Sequence, residues 1–81
     1  MLKVKLFANL REQLNCASMN VEYSGESNVS DLIHGLLNRD ASWNRLTEQD
    51  VLVAVNQTLC SKDAKINDGD EVAFFPPVTG G

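Results

Sequence analysis

An 81-residue chain with 43% hydrophobic residues is one domain with a modest core, burying roughly 60–65% of its unfolded surface, and it is too apolar to stay disordered. The formal net charge is −4, and the seven basic residues are spread along the chain, so a nucleic-acid partner is not expected. No apolar run reaches membrane-spanning length and no basic leader precedes one, so no membrane partner is expected and the cytoplasm is the expected address.

"LKVKLFA" alternates with period two: Leu2, Val4, Leu6 and Ala8 on one face, Lys3, Lys5 and Phe7 on the other. That is a half-buried strand whose polar face ends in a misfit, Phe7. "NLREQL" predicts a short helix with Asn9 as its cap and Glu12 three residues later, at capping-box spacing. "SMNVEYS" alternates through Met19, Val21 and Tyr23, predicting a second strand stopped by a turn at Ser24 and Gly25. In "NVSDLIHGLLNRD" the apolar stripe Val29, Leu32, Ile33, Leu36, Leu37 predicts the main helix, capped by Asn28, with Asp31 in the first turn. Gly35 within that helix costs about 1 kcal/mol against alanine, which suggests a close approach there. Trp43 is expected in a loop or short turn covering the helix end. "VLVAVNQTLC" predicts two strands joined by a tight turn at Asn56–Gln57, and "DG" at Asp68–Gly69 predicts a turn into the last strand, "EVAFF". The pattern predicts an α+β domain over residues 1–75, with a mixed sheet carrying one main helix on one face. That layering is a β-grasp candidate. Residues 76–81 are expected to form a separate, flexible C-terminal tail.

Few residues suggest chemistry inside this domain. Cys16 and Cys60 form no CxxC pair and are too few for a disulfide framework, an iron–sulfur cluster or structural zinc, so two reduced, partly buried thiols are expected. The single histidine, His34, points away from the helix stripe and is expected in solvent; no metal site is expected. The glycines form no phosphate loop, and no nucleophile, base and orienting group fall at a suggestive spacing.

The outer sheet face is more informative. With Val72 and Phe74 turned inward, Phe75 faces outward, as Phe7 does on the first strand. If these strands are neighbours, the two rings form an exposed patch that Leu59 extends, which is the composition of a partner surface. Beyond it, Pro76 and Pro77 hold the chain extended, so that six residues span about 20 Å. Gly80 and Gly81 make a tip thin enough to thread a narrow channel. A carboxylate presented in this way is a poor electrophile until it is activated.

"VKLFANLRE", "AVNQTL" and "DGDEVAFFPPVTGG" together resemble the MoaD family of ubiquitin-like β-grasp sulfur carriers, the small subunits of molybdopterin synthase, along essentially the whole chain. The resemblance implies a role in molybdenum cofactor biosynthesis. An E1-like adenylyltransferase that uses ATP would adenylate Gly81, and a sulfur donor protein would convert it to a thiocarboxylate, with Gly80 beside it in the threading tip. The large synthase subunit, in a complex of two small and two large chains, would then pass the sulfur to cyclic pyranopterin monophosphate. By the same resemblance Phe7, Leu59 and Phe75 match the partner-binding surface, and Arg11 is a further polar contact. The chain itself would bind no cofactor and hold no catalytic centre of its own. Two alternatives share the expected fold: a related carrier for thiamine or tRNA thiolation, and a ubiquitin-like interaction module that carries no sulfur.

Overall fold

The computed structural model describes residues 1–76. Five strands, β1 (Leu2–Leu6), β2 (Ser18–Val21), β3 (Leu52–Val55), β4 (Thr58–Cys60) and β5 (Glu71–Phe75), form one mixed sheet in the order β2-β1-β5-β3-β4. β1 and β5 run parallel and every other neighbouring pair is antiparallel. Between the strands lie a short helix α1 (Ala8–Gln13), the main helix α2 (Val29–Arg39) and a 3-10 helix, Ala41–Thr47. The inward residues of β1, β3 and β5 (Leu2, Val4, Leu6, Val53, Val72, Phe74) meet Val29, Leu32, Ile33 and Leu36 of α2 in one apolar cluster. The helices therefore cover one sheet face. This is the expected ubiquitin-like β-grasp arrangement.

Local chemistry explains the elements. Asn56 and Gln57 have φ of +50° and +69°, and Val55 pairs with Thr58 across them. Two left-handed central residues match the twist of a two-residue hairpin, and asparagine tolerates that backbone well. The Asn56 backbone N–H donates to the Glu71 carbonyl at 2.8 Å, while its side-chain Oδ1 accepts from the Glu71 N–H at 3.1 Å. The hairpin tip is thereby tied to the start of β5.

At the start of α2 the Asn28 Oδ1 accepts from the Asp31 N–H at 2.9 Å, and Asp31 reaches back to accept from the Ser27 N–H at 3.1 Å. The next free amides, Val29 and Ser30, donate to the Ala64 and Lys62 carbonyls, so the first turn is satisfied from two directions. The Lys62 side chain continues this clip. Its Nζ donates to the Leu46 and Glu48 carbonyls at 2.8 and 2.7 Å, neutralising the carbonyl end of the 3-10 helix. Burial pulls this ammonium below the ordinary lysine value.

Five expectations change. α1 is capped by Phe7, not Asn9, and no side chain bonds to its cap; the helix begins two residues early because Phe7 is still a rung of the sheet. β2 ends at Val21, short of Tyr23, whose hydroxyl instead donates to the Glu26 carbonyl in the following loop. Trp43 lies within the 3-10 helix and is buried with Leu46. A Cβ added at Gly35 would meet nothing within 4 Å, so no close packing demands glycine there. Of the predicted α2 stripe, Leu37 only flanks the core.

Two stability changes are expected. Gly35→Ala should raise the unfolding free energy by about 0.5–1 kcal/mol, since only helix propensity changes; a fall in the urea midpoint would reveal an unseen contact. Lys62→Met should lower it by about 1–2 kcal/mol, because two carbonyls lose a charged donor; an unchanged midpoint would show that the clip contributes nothing.

Candidate functional site

The face of the sheet away from α2 carries the site. Pairing register lays out its rows. Lys5 on β1, Ala73 on β5, Ala54 on β3 and Leu59 on β4 are successive cross-strand partners. One row further along, Phe75 on β5 pairs with Leu52 on β3. Phe7 stands just past β1, and its N–H donates to the Phe74 carbonyl at 3.2 Å. This bond carries the parallel ladder one step beyond the strand and puts Phe7 beside Phe75. Their rings stack with centroids 4.8 Å apart and planes 9° from parallel, within the range of favourable aromatic pairs.

Around this stack lies a shallow depression of about 390 Å³. Its floor is the Ala54–Ala73 pair, each only 5% exposed although facing outward, because taller neighbours overhang both methyl groups. One end is walled by the two rings and Leu52; at the other stand Leu59 and Gln57. A polar edge is supplied by Lys5 and Glu71, whose Nζ and Oε1 are 3.1 Å apart. Phe7, Leu52 and Leu59 are 41, 39 and 68% exposed, which is a large apolar surface to leave in water on so small a domain.

Two sequence-derived contact residues, Phe7 and Phe75, thus meet directly, and Leu59 stands in the same depression. Phe75 is half-buried, and its outward ring leans on Phe7. Arg11 is not part of this group: it is exposed on α1 and lines none of the depression. Gly80 and Gly81, with the tail beyond Pro76, lie outside the described residues. Leu52, Ala54, Gln57 and the Lys5–Glu71 pair are additions. The alternation of Val51, Val53 and Val55 against Leu52 and Ala54 already signals the outward pair, whereas Gln57 and Glu71 join only through the fold.

The remaining candidates sit elsewhere. His34 is exposed on α2. Cys16 and Cys60 are unpaired and half-buried, with their thiols near the Ser18 and Val53 carbonyls. Among the described residues, no three or more His, Cys, Asp or Glu side chains are grouped to hold a metal ion, and no helix is long and apolar enough to cross a membrane.

The model of the ThiS family matches residues 4–81. The molybdopterin synthase sulfur carrier subunit of Escherichia coli is 42% identical over 81 residues, covering 100% of both chains. Its Haemophilus influenzae counterpart is 38% identical over 82 residues, again with 100% of both chains covered. Among solved structures, SAMP1 from Haloferax volcanii superposes with a TM-score of 0.81 at 28% identity, covering 99% of this chain and 98% of that one.

Phe7→Ala should cost about 1 kcal/mol, the worth of an exposed aromatic pair. A loss of about 3 kcal/mol or more on denaturant unfolding, typical of a truncated core aromatic, would show that the ring serves the interior.

Proposed function

The chain belongs to the ThiS family, and on that footing we propose that it is the sulfur carrier subunit of a molybdopterin synthase. The observation that supports this reading is 42% identity to a protein of that name along the full length of both chains. The outward apolar depression adds a chemical reason, since a carrier needs a surface on which other proteins work.

The reacting group in this proposal is the α-carboxylate of Gly81, with Gly80 preceding it. Ionised at neutral pH, it resists nucleophiles. On an E1-like adenylyltransferase one carboxylate oxygen attacks the α-phosphorus of ATP, pyrophosphate leaves, and a glycyl adenylate forms. Sulfur delivered by a donor protein at the sulfide level, as hydrosulfide, then adds to that carbonyl, expels AMP and loses its proton, leaving a thiocarboxylate. ATP is bound and consumed on the activating enzyme, and this chain needs no cofactor of its own. The large synthase subunit then takes up the tip and passes the sulfur to cyclic pyranopterin monophosphate, with two small and two large chains per complex. All of this takes place in the cytoplasm.

The domain's part is docking. Phe7, Phe75, Leu52 and Leu59 present apolar surface at the base of the six-residue span 76–81, which reaches about 20 Å when extended. A partner held on that surface has the carboxylate delivered into its own cleft, so part of the entropic cost of positioning is met by docking. Arg11 contributes at the periphery of the contact.

Intact-protein mass spectrometry after incubation with the adenylyltransferase, ATP and a sulfur source tests the reading. Replacement of one terminal oxygen by sulfur is expected; lysine conjugates without a thiocarboxylate would instead identify a modifier. Binding to the large synthase subunit separates this carrier from one serving thiamine or tRNA thiolation. Deleting Gly81 should abolish sulfur loading with no change in melting temperature, and a lowered melting temperature would mean the residue supports the fold. Phe75→Glu should weaken binding of the large subunit by about tenfold or more, as loss of an interface anchor does, in excess of any loss of folded protein.

A further inference from the structure

Four non-glycine residues have left-handed backbones among those described: Ala8 (φ +52°), Asn15 (+52°), Asn56 (+50°) and Gln57 (+69°). Three have local explanations. Asn56 and Gln57 form the hairpin turn. Asn15 follows the C-cap Leu14 of α1, where a left-handed residue commonly ends a helix. Ala8 has none. It opens a helix, it lacks a polar side chain to stabilise the conformation locally, and it is exposed, so no packing of its methyl group holds it there. A strained residue of this kind persists only where its surroundings over-determine it.

Those surroundings are on either side. Phe7 is extended, with φ −121° and ψ 155°, and its N–H is bound to the Phe74 carbonyl as the last rung beside β5. The Phe7 carbonyl meanwhile accepts from the Leu10 N–H at 3.2 Å, opening α1, and Leu10 is wholly buried. Phe7 must therefore end a strand with its ring outward while the very next residue starts a helix that turns inward. There is no loop between them. One peptide reversal has to do the work of a turn, and it falls on Ala8.

We propose that the left-handed backbone of Ala8 is a positioning device for partner docking: it holds the Phe7 ring against Phe75 and so shapes the aromatic wall of the depression. Any residue compatible with positive φ serves at this position, and one that rejects it releases the ring. The inference deepens the carrier reading and rests on it for the identity of the partner.

The chain is small enough for chemical synthesis, so handedness can be separated from side-chain size. Position 8 is varied as Ala8→Gly and as Ala8→Val, the latter in its L and D forms. L-valine, branched at Cβ, resists positive φ, whereas the D form contains the same atoms and favours it. Affinity for the large synthase subunit is measured where each variant is fully folded, so that stability alone cannot change the result. The ring-current-shifted NMR signals of Phe7 and Phe75 report the stack directly. The glycine and D-valine variants should bind within about threefold of the parent, and the L-valine variant should bind about tenfold or more weakly and lose the shifted signals. Parent-like binding and signals in folded L-valine protein would overturn the proposal, as would equal losses in the glycine or D-valine variants. If the L-valine variant does not fold, the other two decide: both must fold, keep the stack and bind, and failure of either overturns the assignment. If the unsubstituted chain does not bind the large subunit, the carrier reading falls. The NMR signals then judge Ala8 alone: kept in glycine and D-valine and lost in L-valine supports it, and any other pattern overturns it.

Discussion

The parallel pairing of the first strand with the last organises this molecule. β1 and β5 stand side by side at the centre of the sheet although nearly the whole chain separates them. A parallel pair cannot be closed by a tight turn, so everything between becomes the crossover: helices on one face, the β3–β4 hairpin beyond. Closing so long a loop adds little cost over a moderately long one, and the inward faces of both strands offset it, since Leu2, Val4, Val72 and Phe74 are entirely buried. The same pairing continues past the strand into the Phe7–Phe74 hydrogen bond, and from that bond follow the ring stack and the depression beside it.

The outer face divides labour by residue size. Small side chains sit at its centre, where Ala54 and Ala73 pair, and large apolar ones stand around them. An alternation that put bulky residues in the middle as well would give a smooth, domed surface and no recess. The Lys5–Glu71 pair at the edge, with side chains 33% and 23% exposed, is still reached by water and adds little stability. Its weight lies in giving an otherwise apolar surface an orientation.

Much of this was legible from residues alone. Asn28 and the stripe through Leu36 announced α2, and Asn56–Gln57 announced the hairpin, because caps and two-residue turns are local and their chemistry is written in neighbouring positions. Phe7 and Phe75 were legible as outward rings from strand alternation, though their face-to-face contact needed the β1–β5 register. What escaped was set by long-range geometry. Asn9 offers capping chemistry, but the ladder beside β5 holds Phe7 extended and the helix starts before Asn9 can act. Tyr23 keeps the period of β2 and its side chain flanks the core, yet the strand stops before it and its hydroxyl bonds in the loop. Gly35 looked like a contact point and faces open space. Ala8 gave no signal, since alanine is an ordinary helix residue and its strain exists only once both neighbours are committed. Arg11 was suggested by resemblance alone, and the depression does not include it.

The position of β5 also bears on mechanical strength. Phe75 is flanked by Leu52 on one side and by the Phe7 rung on the other, so the strand is gripped along both edges up to its last residue. Tension applied from its C-terminal end acts along the strand and must shear two rows of hydrogen bonds together, where an edge strand would peel from one row bond by bond. A protein hauling on that end would drag the whole domain before it unravelled any part of it.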